Sequence, residues 1–411
     1  MMVTGPAPPA APAALKRSLT LPLLTLYGLG VTIGAGIYVL IGATAARAGL
    51  YAPVSFLAAA LAVAFTGLSY AELGSRYPVS AGEAAYVRHG LNSNRLSLLV
   101  GLLVITSGVV SSAAISIGAA AYVQSFIDAP AQVLAAAIIL LLGLITIWGI
   151  TQSVLIAALF TVLEIGGLLA VVAAGIWTRP EILSEWARLV PPLELPAWSG
   201  IGAASLLAFF AFVGFEDIAN VAEEVKQPQK TLPRAILATL ILSSLLYMAV
   251  VSVVVLSVPL ERLSETAAPL ALMFEDASGT TAMVFNVIAS LATINGVLVQ
   301  MIMASRVLYG LGKQGDLPGF LAAVNPVTRT PLNASVIIIA VILLLALLFP
   351  VAALAEMTSR IVLGVFVLIN LALIGLKWRG VPAEGPIFHA PMAVPFLGLG
   401  ACGLLLASDW L

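Results

Sequence analysis

The chain has 411 residues, of which 61% are hydrophobic and only 9% are charged. Its mean hydropathy of +1.11 excludes a soluble or disordered protein, because neither could keep so much apolar surface away from water. The formal net charge of −1 excludes a nucleic-acid binder that works by neutralising phosphates. We therefore predict an all-α, multi-pass protein of the lipid bilayer with no nucleic-acid partner.

The chain offers little for metal or nucleophilic chemistry. Its one cysteine, Cys402, cannot form an intrachain disulfide, and His89 and His389 are far apart in predicted loops. A membrane-embedded enzyme would need a nucleophile with a base, or a cluster of metal ligands. We therefore predict no enzyme activity, no metal and no cofactor.

The apolar segments divide the chain into membrane spans. We expect residues 1–18, which are rich in Pro and Ala, to form a disordered cytoplasmic tail. Crossing about 30 Å of hydrocarbon takes roughly 20 apolar residues. Eleven segments meet this requirement, which we number as spans 1 to 11: 19–43, 52–75, 96–126, 131–149, 153–177, 199–222, 233–258, 281–312, 332–349, 353–376 and 391–407.

The basic residues give the orientation. With the N-terminus in the cytoplasm, thirteen of the 18 Lys and Arg residues fall on the cytoplasmic side, which is the bias that inserted helices show. Eleven spans then place the C-terminus outside. We expect the protein in the plasma (inner) membrane.

Two spans are interrupted. Span 1 contains "LTLYGLGVTIGAGIYVLIG", with Gly34-Ala35-Gly36 near its middle, and span 6 carries Gly214 and Glu216-Asp217 before its apolar stretch ends. The interruptions lie at the same depth and five spans apart, and an odd number of spans per repeat forces the second copy to be inverted. We predict inverted repeats at 19–177 (spans 1–5) and 199–376 (spans 6–10), with a peripheral eleventh helix at 391–411.

Broken helices inside a membrane expose backbone groups that can bind a ligand. At Gly34-Ala35-Gly36 the second half of span 1 begins, so its first N–H groups suit a carboxylate. The first half of span 6 ends near 212–214, where free carbonyls suit an ammonium group. Together they predict an α-amino acid site. The alternative is that the glycines of span 1 only permit close helix packing.

The same segments resemble the amino acid–polyamine–organocation transporter superfamily, in its cationic amino acid transporter-like bacterial branch. The motifs are "GVTIGAGIY", "YAELGSRYPVSAGEAAYV", "FFAFVGFEDIANVAEEVKQPQKTLPRAI" and "ASRVLYGLGKQGDLPGFLAAVNPVTRTP", which together cover most of the chain. The resemblance implies a five-plus-five inverted-repeat fold that holds amino acids between spans 1 and 6. Many members have twelve spans, whereas eleven are predicted here.

The resemblance also implies the roles of single residues. The carboxylate-binding segment falls on Ile33, Gly34, Ala35, Gly36 and Ile37, and the ammonium-binding carbonyls fall on Phe210, Ala211, Val213 and Gly214. Phe210 matches the aromatic residue that closes the outer side of the pocket; Phe215 is a second candidate for this gate, with a packing role as the alternative. Glu216 matches a glutamate that braces the unwound backbone, unless it is a solvated helix cap.

Glu164 lies near the centre of span 5, where a charged side chain is costly. It is expected to carry a coupling proton, to bind sodium, or to be a permanently protonated structural acid. The sodium alternative would use carbonyls near Gly30 and Ile33 and the hydroxyl of Ser290 or Thr293. Some relatives carry lysine at the position of Glu164, so the chain departs from the family there.

The remaining polar residues give weaker indications. Ser111 and Ser112 of span 3 are candidate pocket residues, and Asn295 of span 8 is expected either to line the pocket or to bond a neighbouring helix. A mixed-charge cytoplasmic loop is expected to be a solvated face, with some ion pairs acting as an inner gate; it is formed by Asp217, Glu223, Glu224, Lys226, Lys230 and Arg234. Few charges converge on the breaks, which favours neutral amino acids.

We therefore predict a secondary active transporter of neutral α-amino acids. It would work by alternating access and couple to protons, with sodium as the alternative, as a monomer or a loose homodimer. The alternatives are an amino acid or polyamine exchanger and a non-transporting amino acid sensor on the same scaffold.

Overall fold

The computed structural model describes residues 15–124, 127–265, 269–278, 283–349, 351–383 and 385–408. Within these ranges the chain is helical, with one isolated bridge and no strand. The α-helices are α1 (Leu21–Thr32), α2 (Ala35–Ala48), α3 (Ala52–Arg76), α4 (Gly82–Leu91), α5 (Asn94–Val123), α6 (Ala131–Trp148), α7 (Ile150–Thr178), α8 (Leu195–Phe210), α9 (Pro228–Ser257), α10 (Leu260–Glu265), α11 (Pro269–Ser278), α12 (Met283–Lys313), α13 (Leu332–Leu348), α14 (Val351–Trp378) and α15 (Ala393–Ser408). Short 3₁₀ helices lie at Gly49–Tyr51, Pro180–Ser184, Trp186–Leu189, Phe215–Glu224 and Gly319–Ala322.

The helices confirm the prediction of an all-α membrane fold. In the described part of the chain, eight helical segments are long and apolar enough to cross a membrane, and three shorter apolar helices accompany them. Each predicted span carries at least one of these helices. The helices α4, α10 and α11 were not predicted; they are short and lie between spans 2 and 3 and between spans 7 and 8.

Spans 1 and 6 are each built from two helices. In span 1, α1 ends at Thr32 and α2 begins at Ala35, with Gly34 extended between them at φ −67° and ψ −156°. In span 6, α8 ends at Phe210, and a turn leads into the 3₁₀ helix Phe215–Glu224. Gly214 has φ +118° in that turn, a conformation that residues with a side chain rarely adopt.

Counterpart spans pack against each other. Contacts join α2 with α8, α3 with α9, α5 with α12 and α6 with α13, so each of the first four spans touches the span five places later. A two-fold relation between spans 1–5 and spans 6–10 predicts this pairing. The boundaries of the two repeats stay a prediction.

The segment before α1 differs from the predicted tail. Leu15 and Leu19 are buried, and the backbone N–H groups of Ser18 and Leu19 donate to the Glu224 carbonyl at 2.9 and 3.0 Å. The Thr151 hydroxyl donates to that of Ser18 at 2.9 Å. Residues 15–18 are therefore fixed to the bundle, because their backbone continues a short pairing between Leu19 and Val225. Residues 1–14 lie outside the described residues.

Candidate functional site

The two helix breaks meet in the middle of the bundle. A Cβ atom placed on Gly36 would lie 2.8 Å from the Cα of Ala211, so the backbones of α2 and span 6 are in direct contact there. A Cβ atom on Gly214 would lie 2.9 Å from a methyl group of Val31. The glycines therefore bring the two broken helices together, which agrees with the packing alternative as well as with the site prediction.

The first break presents a free helix N-terminus. Gly34 is the N-cap of α2 and supplies no side-chain hydrogen bond to the first N–H groups of that helix. Gly34 and Gly36 border a cavity, whereas the side chains of Ile33 and Ile37 are fully buried in the core. The side chain of Ala35 lies outside what the structure describes. The uncapped N–H groups form a place where an anion is stabilised.

The second break presents carbonyl groups, and three of the four predicted ones already accept a hydrogen bond. The Phe210 carbonyl accepts from the Val213 N–H at 3.3 Å, and the Gly214 carbonyl from the Asp217 N–H at 3.1 Å. The Ala211 carbonyl accepts from the Tyr247 hydroxyl at 2.8 Å. Among the described residues, the Val213 carbonyl accepts no backbone hydrogen bond, so both of its lone pairs are available to a donor.

A cavity of about 250 Å³ connects the two breaks. It is lined by residues of spans 1, 3, 6, 8 and 10, namely Val31, Thr32, Gly34, Gly36, Ser111, Ala114, Ile115, Phe210, Val213, Ala292, Thr293, Gly296, Gln300 and Thr358. The wall is mostly apolar, and Phe210 is 42% exposed. We call this space the main cavity.

Among the predicted residues, Phe215 and Ser112 lie outside the lining of the main cavity, as do Ala211 and Gly214. Phe215 is fully buried and packs edge-on against Tyr70, with ring centroids 5.6 Å apart, and also against Phe366. It is a core aromatic residue and not a gate, because the 3₁₀ helix turns its side chain toward α3 and α14. Ser112 is also fully buried, since it lies one residue after Ser111 and so on a different face of α5.

Glu216 is attached to the break. Its Oε2 accepts a hydrogen bond from the Gly214 N–H at 2.8 Å, and the side chain is only 8% exposed. This geometry is that of a brace on unwound backbone and not that of a solvated cap.

Glu164 lies at the junction of spans 1, 5 and 8. Its Oε1 accepts from the amide nitrogen of Asn295 at 3.0 Å, and the same nitrogen lies 3.1 Å from the Thr161 hydroxyl and 3.4 Å from the Gly30 carbonyl. The other carboxylate oxygen and the Asn295 amide oxygen are buried without a hydrogen-bond donor among the described residues. Asn295 therefore bonds neighbouring helices and does not line the main cavity.

The residues predicted for an alternative ion site are only partly brought together. Gly30 faces Asn295 and Thr161, and Glu164 is beside them. Thr293 lines the main cavity, and its hydroxyl donates within its own helix to the Ser290 carbonyl at 2.8 Å. Among the described residues, no group of His, Cys, Asp and Glu side chains has the arrangement of a metal site.

The profile of the amino acid permease family matches residues 19–408, which is nearly the whole chain. The chain belongs to the amino acid permease family. It is therefore a multi-pass membrane protein and not an enzyme, since permeases move their substrate without changing it. The predicted resemblance is confirmed at the level of the family.

Relatives match along most of the chain. A branched-chain amino acid permease of Bacillus subtilis is 30% identical over 96% of this chain and 88% of its own length. A methylthioribose transporter of the same bacterium is 28% identical over 95% of this chain and 87% of its own length. A vacuolar cationic amino acid transporter of Arabidopsis thaliana is 28% identical over 91% of this chain and 65% of its own length.

Tyr247 of α9 bridges the two helix breaks of this permease, which the sequence did not reveal. Its hydroxyl lies 2.6 Å from the Thr32 carbonyl and 2.8 Å from the Ala211 carbonyl, so it joins the ends of α1 and α8. Its ring packs against Phe56 and Phe212. The sequence does not distinguish this tyrosine from one that only packs in an apolar span, because its hydroxyl contacts both breaks only when the spans are packed together.

The mixed-charge loop after the second break is not the predicted solvated face. Asp217 and Glu224 are buried, and the Arg306 guanidinium contacts both Glu224 oxygens at 3.2 and 3.3 Å. Glu223 pairs with the more exposed Lys313 at 2.5 Å. Of the charged residues of the loop, only Lys226, Lys230 and Arg234 are exposed. The ion pairs tie span 6 to span 8, as an inner gate would.

Proposed function

We propose that the chain is a secondary transporter of α-amino acids that works by alternating access. The observation that carries this proposal is the main cavity, which touches both helix breaks of an amino acid permease. The substrate carboxylate would accept from the first N–H groups of α2 at Gly34–Gly36. Its ammonium group would donate to the Val213 carbonyl.

The lining of the main cavity supports neutral side chains. Val31, Ala114, Ile115 and Ala292 are apolar, and no Lys, Arg, Asp or Glu lies among the lining residues. An aliphatic side chain would be stabilised there by about 25 cal/mol for each Å² of apolar surface removed from water. The name of the Bacillus subtilis relative, a branched-chain amino acid permease, agrees with this preference.

We further propose that Glu164 carries the coupling proton. Among the described residues, it forms no ion pair, and one of its carboxylate oxygens lacks a donor. An unpaired carboxylate is costly to bury, and a proton removes the charge without any further partner. Asn295 contacts both Glu164 and the Gly30 carbonyl, so a change in the protonation state of Glu164 would alter a hydrogen bond that reaches span 1. Sodium bound by the same oxygens is the alternative.

The ion pairs of the mixed-charge loop support the proposal that the transporter has an inner gate. Arg306–Glu224 and Lys313–Glu223 hold span 6 against span 8 on one side of the main cavity. We place this side in the cytoplasm, with the N-terminus, on the distribution of basic residues. Alternating access requires these pairs to separate when the inner side opens.

The test is uptake of labelled amino acids into proteoliposomes under an imposed pH gradient. A panel from alanine through leucine to arginine would be compared for the wild type, Glu164→Gln and the exposed control Glu194→Gln. Glutamine keeps the oxygen that Asn295 contacts but cannot release a proton. We expect gradient-driven uptake of neutral amino acids, lost in Glu164→Gln and kept in the control, while exchange of internal for external amino acid survives.

The other outcomes separate the alternatives. Uptake that does not depend on the pH gradient but requires internal amino acid would indicate an exchanger. Glu164 would then be a structural acid. Uptake that follows a sodium gradient would replace the proton by sodium. Binding without flux for every amino acid would contradict transport and favour a sensor.

A further inference from the structure

A second, smaller cavity adjoins the main cavity and is acidic. Its volume is about 40 Å³, and Ser111, Val213, Gln300 and Thr358 border both spaces. Glu83 of α4 and Glu216 and Asp217 of span 6 all line the smaller cavity, together with Tyr70 of α3. A water molecule needs about 10–15 Å³ on this kind of measure, so the space admits a group of ammonium size.

Each of the three carboxyl groups is held in place by a neutral donor. Asp217 accepts from the Gln300 amide at 2.9 Å, and Glu83 accepts from the Asn220 amide at 3.0 Å. Glu216 accepts from the Gly214 N–H at 2.8 Å. These bonds fix the positions of the carboxyl groups without neutralising them.

The charge balance of the smaller cavity is incomplete. Among the described residues, no Lys, Arg or His forms an ion pair with Glu83, Glu216 or Asp217. Glu83 is 1% exposed, and its Oε2 has no hydrogen-bond donor in the described part of the chain. Three neighbouring buried carboxylates disfavour one another's charge unless a cation lies between them.

We propose that the smaller cavity is a binding site for a monovalent cation of ammonium size, held by Asp217, Glu83 and Glu216. The cation has two sources with the same chemistry. It arrives as the terminal ammonium group of a basic amino acid seated in the main cavity, or as a free ion bound beside a neutral amino acid. The assignment rests on the proposed amino acid transport, and the first source would add basic amino acids to the substrates.

The site predicts a pH dependence of cation binding. Burial raises the pKa of Glu83 to about 7, with the Asn220 and Tyr70 hydrogen bonds opposing the shift. The other ionisable groups that face it are Tyr86, Glu216 and Asp217. A cation competes with protons for these carboxyl groups, so binding should tighten as the pH rises through about 7.

The experiment compares lysine with norleucine, which has the same four-carbon side chain without the terminal ammonium group. Binding of each to the purified full-length protein would be measured by calorimetry at pH 6 and pH 8, in choline chloride. The norleucine titration would be repeated in sodium, potassium and ammonium chloride. The variants are Asp217→Asn and Glu83→Gln, and the exposed Asp128→Asn is the control for the loss of a carboxylate.

If the cation is on the substrate, lysine should bind at least about tenfold more tightly than norleucine at pH 8. Either variant should remove this preference and leave norleucine binding within about twofold. If the ion is free, norleucine should bind more tightly in one of the salts than in choline, and the variants should remove that gain. The control should behave as the wild type in both cases.

The proposal is overturned if the wild type binds norleucine but shows neither a preference for lysine nor an effect of any salt. The three carboxyl groups would then hold only protons, and the proposed function would stand. Failure to bind any amino acid would instead contradict the proposed function. The wild-type titrations decide between these outcomes even if one variant fails to fold.

Discussion

The Tyr247 hydroxyl donates to the carbonyl of Thr32 at 2.6 Å, at the residue where α1 ends. The same hydroxyl lies 2.8 Å from the Ala211 carbonyl, just after α8 ends. One proton therefore serves two carbonyl groups that the helix breaks have left without their usual partners. The relative position of the two breaks depends on this contact.

Replacing Tyr247 by phenylalanine should weaken substrate binding. The ring contacts with Phe56 and Phe212 would remain, while a buried carbonyl would lose its donor at a cost of about 1–3 kcal/mol. We expect the KM for uptake to rise by roughly tenfold. Tyr27→Phe is the control, since its hydroxyl contacts the Val299 carbonyl at a longer 3.4 Å and away from the breaks. An unchanged KM in Tyr247→Phe would contradict the role.

Adding a methyl group at Gly36 should abolish uptake. The new Cβ would lie 2.8 Å from the Cα of Ala211, and backbone cannot move aside as a flexible side chain can. Forcing the two helices apart should cost about 1–3 kcal/mol. Gly202→Ala is the matched control, because no atom lies within 4 Å of the added group. Labelled uptake and binding would both be measured, and normal binding in Gly36→Ala would contradict the predicted contact.

Glu224 and Glu223 are adjacent in the chain, yet their removal should have different effects. Glu224→Gln leaves the fully buried Arg306 guanidinium without its carboxylate, a loss of roughly 3–5 kcal/mol. Glu223→Gln breaks a pair with Lys313, whose side chain is 52% exposed, and should cost about 0–1 kcal/mol. The apparent Tm in detergent would compare them. Equal shifts would show that burial does not distinguish the two pairs.

Glu83 should destabilise the fold as the pH rises. Its pKa is raised by burial to about 7, so the folded state keeps a proton that the unfolded chain loses at about pH 4.3. The contribution of Glu83 to the free energy of unfolding therefore falls between these two pH values, by up to about 1.4 kcal/mol per pH unit. Above about pH 7 this contribution no longer changes. The apparent Tm of Glu83→Gln minus that of the wild type should therefore increase between pH 5 and pH 7.5.

The apparent Tm of Glu83→Gln and of the wild type would be measured in choline chloride without amino acid, so that no small cation binds between the carboxylates. The exposed Glu194→Gln should show no such gain. A difference between Glu83→Gln and the wild type that does not vary with pH would mean that Glu83 keeps its ordinary titration.

The span prediction succeeded because the bilayer imposes a strong constraint on composition. A helix that crosses hydrocarbon must be apolar over its whole length, so the spans and the two interruptions are visible as a pattern. The 3₁₀ form of Phe215–Glu224 and the fixed segment 15–18 were not visible. The segment 15–18 is fixed by hydrogen bonds from Ser18 and Leu19 to the Glu224 carbonyl, which is distant in the chain.

The sequence indicated which residues lie at the two breaks, but not the direction of every side chain; the site itself stays a prediction. Gly34, Gly36, Phe210 and Val213 border one cavity, because glycine spacing marks the places where helices break and meet. The resemblance favoured Phe210 as the gate, but the sequence did not decide whether Phe215 gates the pocket or only packs. Their roles differ because the backbone changes from α to 3₁₀ between them, which rotates the later side chain into the core.

The sequence by itself determined the class of the molecule, a polytopic membrane permease with two broken helices. Only the tertiary structure decided which side chains serve those breaks. Tyr247 reaches both carbonyl groups, Asn295 contacts Glu164, and three carboxyl groups surround a space that no single segment outlines. Composition and periodicity record the solvent that each residue faces, whereas these contacts depend on distances between helices far apart in the chain.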